Sequence, residues 1–260
     1  MLNVKVLILI GCLAFLSGHS QSLPHANAHA HNDYEHDRPL FDALENGFTS
    51  IEADVHLKGG QLLVAHNVAG PKAKTLQALY LDPLDSISRH NQGHIYRHYE
   101  GPVILLIDIK TEAEPTYRAL LDVLSGYPDL IHTPSRPGAI QIVISGNRPI
   151  DLIRGESTHS TAIDGRPQDL GTGFSVSEMP LISENYTKVS KWKGDGSPPP
   201  EEVKKLTDLA QRVHAENKRL RLWQIPDHKN AWDVLLKAGI DIINTDKLKE
   251  LNVFLSTQKK

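Results

Sequence analysis

Short runs of β-branched and aliphatic residues alternate along this chain with longer stretches in which apolar positions recur every three or four residues. That alternation is the pattern of repeated strand–helix units built on a parallel sheet. Strand-like runs cover residues 49–55, 61–66, 102–109, 139–145, 173–177, 220–225 and 241–244, and an initial strand ends near His31. Helical periodicity covers 38–46, 76–90, 115–125, 149–154, 200–217, 229–238 and 248–256. Val103 to Ile109 is almost continuously apolar, as expected of a strand covered on both faces. Pro200 followed by Glu201 and Glu202 suits a helix N-terminus, and Gly239 suits a helix stop.

Treating 61–66 as an extension of the second strand, and allowing one strand within the Gly-, Pro- and Asp-rich stretch 155–172, gives about eight strands. That count favours a TIM (β/α)8 barrel over a doubly wound open sheet. With 260 residues the chain has material for one large core, so residues 22–260 read as a single barrel domain.

Ahead of it, Lys5 and the apolar run from Val6 to Leu16 precede the small and polar residues Ser17, Gly18, His19 and Ser20. The apolar run is too short to span a bilayer, and residues 1–21 read as a secretory signal peptide, predicting an exported protein, periplasmic or secreted. Cys12, the only cysteine, lies inside that segment. Leu9-Ile10-Gly11-Cys12 also resembles a lipoprotein cleavage box, which makes lipid anchoring through Cys12 the minor reading.

The net charge of −3 and the lack of any basic run argue against a nucleic-acid partner. Among the 14 histidines, His90, His94 and His98 are spaced by four and read as a solvated helix face. A monomer is expected.

Glu52 and Asp54 are one residue apart, so on a strand both project to the same face. Two such carboxylates resist joint ionisation unless a cation neutralises them, and oxygen-only ligands suit Mg²⁺ or Ca²⁺. Asp108 supplies a third carboxylate at the end of a strand whose burial would make it costly if unpaired. Lys110 lies on the same face, either as a structural ion pair with Asp108 or as positive charge for a substrate. His31 and His66 fall at strand ends and supply groups that exchange protons near neutral pH, with His29 as a second candidate for the role of His31. Trp223 is read as an apolar wall for a substrate or as core packing. Arg148 is read as a loop ion pair, with phosphate contact as the lesser alternative.

The order His31, Glu52-x-Asp54, His66 and Asp108-x-Lys110 resembles the phosphatidylinositol-phospholipase-C-like phosphodiesterase superfamily, which includes glycerophosphodiester phosphodiesterases and sphingomyelinase D-like enzymes. His29-Ala-His31-Asn-Asp-Tyr34, Pro39 to Leu44, Ser50 to Asp54, Met179 to Ser183, Arg221-Leu-Trp223 and Ile243 to Asp246 are similar to the branch containing the Altered inheritance of mitochondria protein 6 family. The resemblance implies a barrel that holds one divalent cation through Glu52, Asp54 and Asp108. It implies His31 and His66 as the acid–base pair, Lys110 near the phosphate, and a first step that can form a cyclic phosphate. Asn32-Asp33 stands where glycerophosphodiesterases usually carry Arg-Gly, and Asp108 stands where glutamate is more usual. Asn32 is therefore expected to touch a substrate that is not settled between a small phosphodiester and a phospholipid, the latter with contact to a membrane surface. A different class of function, a non-catalytic barrel that binds phosphorylated lipids or sugars, stays open at this point. A glycosidase ranks last, because Glu52 and Asp54 on one strand are poorly placed to flank a glycosidic bond.

Overall fold

The computed structural model of the chain describes residues 23–258. The leader assigned to residues 1–21, including Cys12, lies outside them. Nine strands occur in the order β1 (His25–Ala30), β2 (Phe48–Lys58), β3 (Gln61–Val64), β4 (Val103–Ile109), β5 (Ile140–Gly146), β6 (Thr161–Gly165), β7 (Leu181–Asn185), β8 (Arg219–Trp223) and β9 (Ile242–Thr245). Eight of them run parallel, each beside its neighbour, and the sheet closes because β1 pairs with both β2 and β9. The result is a TIM barrel. β3 is the exception: it folds back antiparallel on the end of β2 through Gly59 and Gly60, both at positive φ, the conformation a tight hairpin turn demands. Residues 61–64 are therefore a separate hairpin strand outside the barrel and not the extension of the second strand that the sequence suggested, while the barrel itself still has eight strands.

The helices are α1 (Phe41–Glu45), α2 (Asp82–His90), α3 (Ala113–Leu124), α4 (Ile150–Arg154), α5 (Tyr186–Val189), α6 (Pro200–His214), α7 (Lys229–Lys237) and α8 (Leu248–Gln258). Seven answer to predicted helices within a few residues at each end; the short α5 was not foreseen. The stretch 76–90 is not one uniform helix. Gln77–Leu81 forms a wide π-helical turn before α2, and Pro83, which has no N–H to donate, sits at the junction. The helix ends at His90, so His94 and His98 do not share a helix face with it.

Residues 173–177 are irregular chain leading into a turn and not a strand. The strands of that region are β6 and β7, five residues each, and both carry polar side chains where a longer apolar run would have marked them: Asp164 on β6, Ser183 on β7.

Alternate residues of each strand face the barrel interior. The interior has an apolar floor of Ile104, Leu106, Val143, Ala162, Leu181 and Ile242, which form one buried cluster apart from the larger core between barrel and helices. Two residues further along the same strands stand Asp108, Ser145, Asp164, Ser183 and Asn244. The floor gives way to a polar layer within one pleat, toward the strand ends where barrel enzymes carry their chemistry.

Candidate metal and acid–base site

The three carboxylates expected from sequence converge. Glu52, Asp54 and Asp108 each place an oxygen within 4.8 Å of the others. β2 and β4 pair in parallel with Asp54 opposite Asp108, which sets the two carboxylate-bearing strand ends level. Behind Asp108 the chain turns at Gly146, at φ +66°, where a Cβ would fall 2.1 Å from Asp108 Oδ1. Only glycine leaves room for that carboxylate.

Asp54 is fully buried and its two oxygens have different surroundings. Oδ2 faces Tyr34 Oη at 2.8 Å, Lys110 Nζ at 3.0 Å and His66 Nδ1 at 3.1 Å. Oδ1 is buried without a hydrogen-bond partner. A buried carboxylate oxygen left so is costly, and a cation supplies what no protein donor does. Asp108 accepts from Lys110 Nζ at 3.2 Å. Burial pushes the Asp108 carboxyl up to about 6 against the pull of Lys110, and the Asp54 and Glu52 charges add to the rise. A site that resists holding three ionised carboxylates, with one buried oxygen unpaired, fits a divalent cation.

Glu52 is held from below. Its Oε2 lies 3.1 Å from His29 Nε2 and 3.4 Å from Arg221 Nη1. Burial alone would raise its pKa; His29 and Arg221 outweigh burial and keep it ionised, well below the usual carboxylate range. His29 is itself fully buried, 2.7 Å from Ser50 Oγ and 2.8 Å from Arg221 Nη1. Burial, reinforced by the Arg221 charge, pulls it down to about 4, so it is a neutral support for Glu52 at physiological pH.

His31 lies one pleat above His29 and behaves differently. Its Nδ1 is 2.7 Å from Asp246 Oδ1, beyond the end of β9. Burial would lower its pKa, but the Asp246 hydrogen bond and charge prevail and raise it. His66, half exposed, follows β3 and is tied to Asp54. Asn32 adopts the left-handed conformation at φ 45°, which asparagine tolerates better than most residues, and its Oδ1 is 2.9 Å from Tyr34 Oη. Trp223 ends β8, half-buried and on the inward face two residues beyond Arg221. Lys110 bridges Asp54 and Asp108, so the ion pair foreseen with Asp108 exists and has a second member.

Sequence reasoning missed several members. Tyr34, Arg221 and Asp246 appeared only as parts of larger motifs, without roles. Asp164 went unread within the Gly-, Pro- and Asp-rich stretch 155–172, yet it is fully buried and takes hydrogen bonds from Ser145 (2.8 Å), Ser183 (2.5 Å) and Arg166 Nη1 (2.9 Å). The signal was there: a polar residue two positions past an inward apolar one, on several strands at once.

Comparison with known proteins places this geometry in a lineage. A model of the AIM6-like phosphodiesterase domain matches residues 19–163. The chain is 31% identical to the Altered inheritance of mitochondria protein 6 of Eremothecium gossypii, over 87% of this chain and 68% of the relative. It is 26% identical to the homologue from Arthroderma benhamiae over 84% and 80% of the two chains, and 27% identical to the Lachancea thermotolerans protein over 86% and 64%. With its barrel, its carboxylate triad and these matches together, the chain belongs to the AIM6-like branch of the phospholipase-C-like phosphodiesterase superfamily.

Proposed function

We propose that this chain is an exported phosphodiesterase in which Glu52, Asp54 and Asp108 hold one divalent cation, Mg²⁺ or Ca²⁺, and His31 and His66 exchange protons with the substrate. The observation that carries the reading is the divided Asp54 carboxylate, one oxygen facing three donors and the other buried without any. When bound, such a cation neutralises charge on a phosphodiester oxygen and lowers the pKa of a hydroxyl beside it.

The side chains supply the remainder. Asp246 fixes His31 through Nδ1 and leaves Nε2 as the atom through which a proton moves; Asp54 does the same for His66. One histidine takes the proton of the attacking hydroxyl and the other protonates the leaving alkoxide. Lys110 is kept charged, because Asp108 and Asp54 outweigh the effect of its burial, and it faces the negative charge that develops on phosphate. Asn32 and Trp223 border the substrate. A substrate hydroxyl next to the phosphate makes a cyclic phosphate the first product, which ³¹P NMR distinguishes from direct hydrolysis. The leader-like residues 1–21 support action outside the cytoplasm.

The test is turnover of a panel of glycerophosphodiesters, lysophospholipids and inositol phospholipids by the full chain, with and without chelator, beside elemental analysis. Chelator-sensitive cleavage and about one bound metal ion per chain, lost in Glu52→Gln or Asp108→Asn, are expected. Binding of phosphorylated lipids or sugars without turnover would leave only the non-catalytic reading.

A further inference from the structure

Beside the triad, at the ends of β5 and β6, two arginines come together. Arg148 Nη1 and Arg166 Nη1 both donate to one oxygen, the backbone carbonyl of Asp164. Two guanidinium groups crowded onto a single acceptor repel one another unless anions surround them.

The anions present are unevenly shared. Asp164 faces Arg166 at 2.9 Å and Arg221 at 3.6 Å, and two serine hydroxyls complete its shell. Arg166 donates also to the Gly165 carbonyl and to Ser145 Oγ. Arg148 is left with the Asp164 carbonyl and, at 3.6 Å, Asp169 Oδ2. That same Asp169 oxygen already accepts the Arg166 backbone N–H at 2.7 Å. A guanidinium has five N–H donors, and beyond these two acceptors the Arg148 nitrogens reach solvent rather than a protein acceptor among the described residues, although the side chain as a whole is only 13% exposed. Burial and the like charge of Arg166 pull Arg148 below the usual arginine range, against the charges of Asp164 and Asp169.

Its position is equally informative. The loop that carries Arg148 is pinned to the end of β4: Asn147 N donates to the Ile109 carbonyl and Asn147 Nδ2 to the Thr111 carbonyl, both at 2.9 Å. Asp108 is level with Ser145 on β5, and β6 is the next strand round. Two inter-strand spacings separate β4 from β6, about 10 Å.

We propose that Arg148 and Arg166 form a subsite for a second anionic group of the substrate, a phosphomonoester or a carboxylate, carried on the β5–β6 side of the scissile phosphodiester. The subsite deepens the phosphodiesterase reading and, as a statement about substrate, rests on it. It selects diesters whose alcohol or headgroup bears its own negative charge over those with neutral ones.

Two measurements on the full chain separate the claims. In the first, calorimetric titration in the presence of EDTA uses glycerol 3-phosphate and, separately, glycerate. Saturable binding of at least one is expected, weakened about tenfold or more by Arg148→Gln and partly restored by Arg148→Lys, the loss of a charged hydrogen bond. Which of the two binds tells whether the subsite takes phosphate or carboxylate. If the unmodified protein binds neither, or Arg148→Gln binds as tightly, the subsite is overturned. In the second, kcat/KM is compared for glycerophosphoglycerol and its headgroup-phosphorylated or carboxylate analogue. A preference of about tenfold or more for the anionic diester is expected, falling toward unity in Arg148→Gln. A preference that survives the substitution, or none to begin with, also overturns it. Should no diester turn over, the phosphodiesterase reading fails, while the titration still decides the subsite.

Discussion

The lower and upper halves of the barrel interior are built on the same strands, one pleat apart, and differ in almost every property. Leu106, Val143, Ala162, Leu181 and Ile242 make a dry floor; Asp108, Ser145, Asp164, Ser183 and Asn244, two positions further on, make a charged layer with His29, Glu52 and Arg221. Arg221 ties the layer together, within 3.6 Å of Glu52, Asp164, His29, Ser183 and Asn244. The floor stabilises without directing anything. The layer above it contributes little net stability, because burying charges offsets much of their attraction, but it holds Glu52 ionised and in place in the carboxylate triad.

Substitutions in the two halves should therefore separate stability from chemistry. The largest effect is expected at the mouth: His31→Ala or His66→Ala lowers kcat about 10²- to 10⁴-fold while the thermal midpoint barely moves. A rate within twofold of the unmodified protein would remove the histidines from the mechanism. In the floor, Leu106→Ala costs about 2–5 kcal/mol by leaving a cavity, with kcat per folded molecule retained. Denaturant unfolding read beside active-site titration checks both halves of that statement.

Asp33 sharpens the comparison, since it is a buried acid that lacks a basic partner in direct contact. It receives hydrogen bonds from Leu40 N at 2.5 Å and Tyr80 Oη at 2.9 Å, and its other oxygen is unpaired. Burial, partly opposed by those two bonds, pushes its pKa up to about 6 from 3.8. The folded state thus binds the Asp33 proton more tightly than the unfolded one. Its contribution is fully present below about pH 4 and is lost as the pH rises through about 6, a change of up to about 3 kcal/mol. Asp33→Asn should flatten that part of the stability–pH curve; an unaltered slope would assign it elsewhere. At Gly146→Ala a side chain at φ +66° costs about 1–3 kcal/mol of strain, and the Cβ would also fall 2.5 Å from the Ile109 carbonyl, so stability falls as well. Because the nearest atom is Asp108 Oδ1, metal affinity should fall along with stability, and calorimetry of metal binding beside denaturant unfolding reads the two.

How far the chain was legible follows the same division. Glu52, Asp54 and Asp108 could be recognised because ionised groups beside apolar runs stand out, and period-two spacing gives their common face. β6 and β7 could not, since Asp164 and Ser183 interrupt runs only five residues long. Residues 173–177, with Phe174 and Val176 alternating, imitate a strand but join no strand ladder among the described residues. Tyr34 from a 3-10 turn, Arg221 from the middle of β8 and Asp246 just past β9 meet the site from positions up to 215 residues apart along the chain, as in the His31–Asp246 pair, and no local pattern encodes such a meeting.

Local order along the chain by itself determined the repeating strand–helix units, the eight-strand count and the carboxylates and histidines available for chemistry, because periodicity and charge are properties of neighbours. Only barrel closure decided which of them work together. Pairing β1 with β9 brings Asp246 to His31, the register of β2 and β4 sets Asp54 level with Asp108, and Gly146 leaves the space that Asp108 fills. These are distances across the fold, fixed by how the sheet curls and not by any stretch of residues within it.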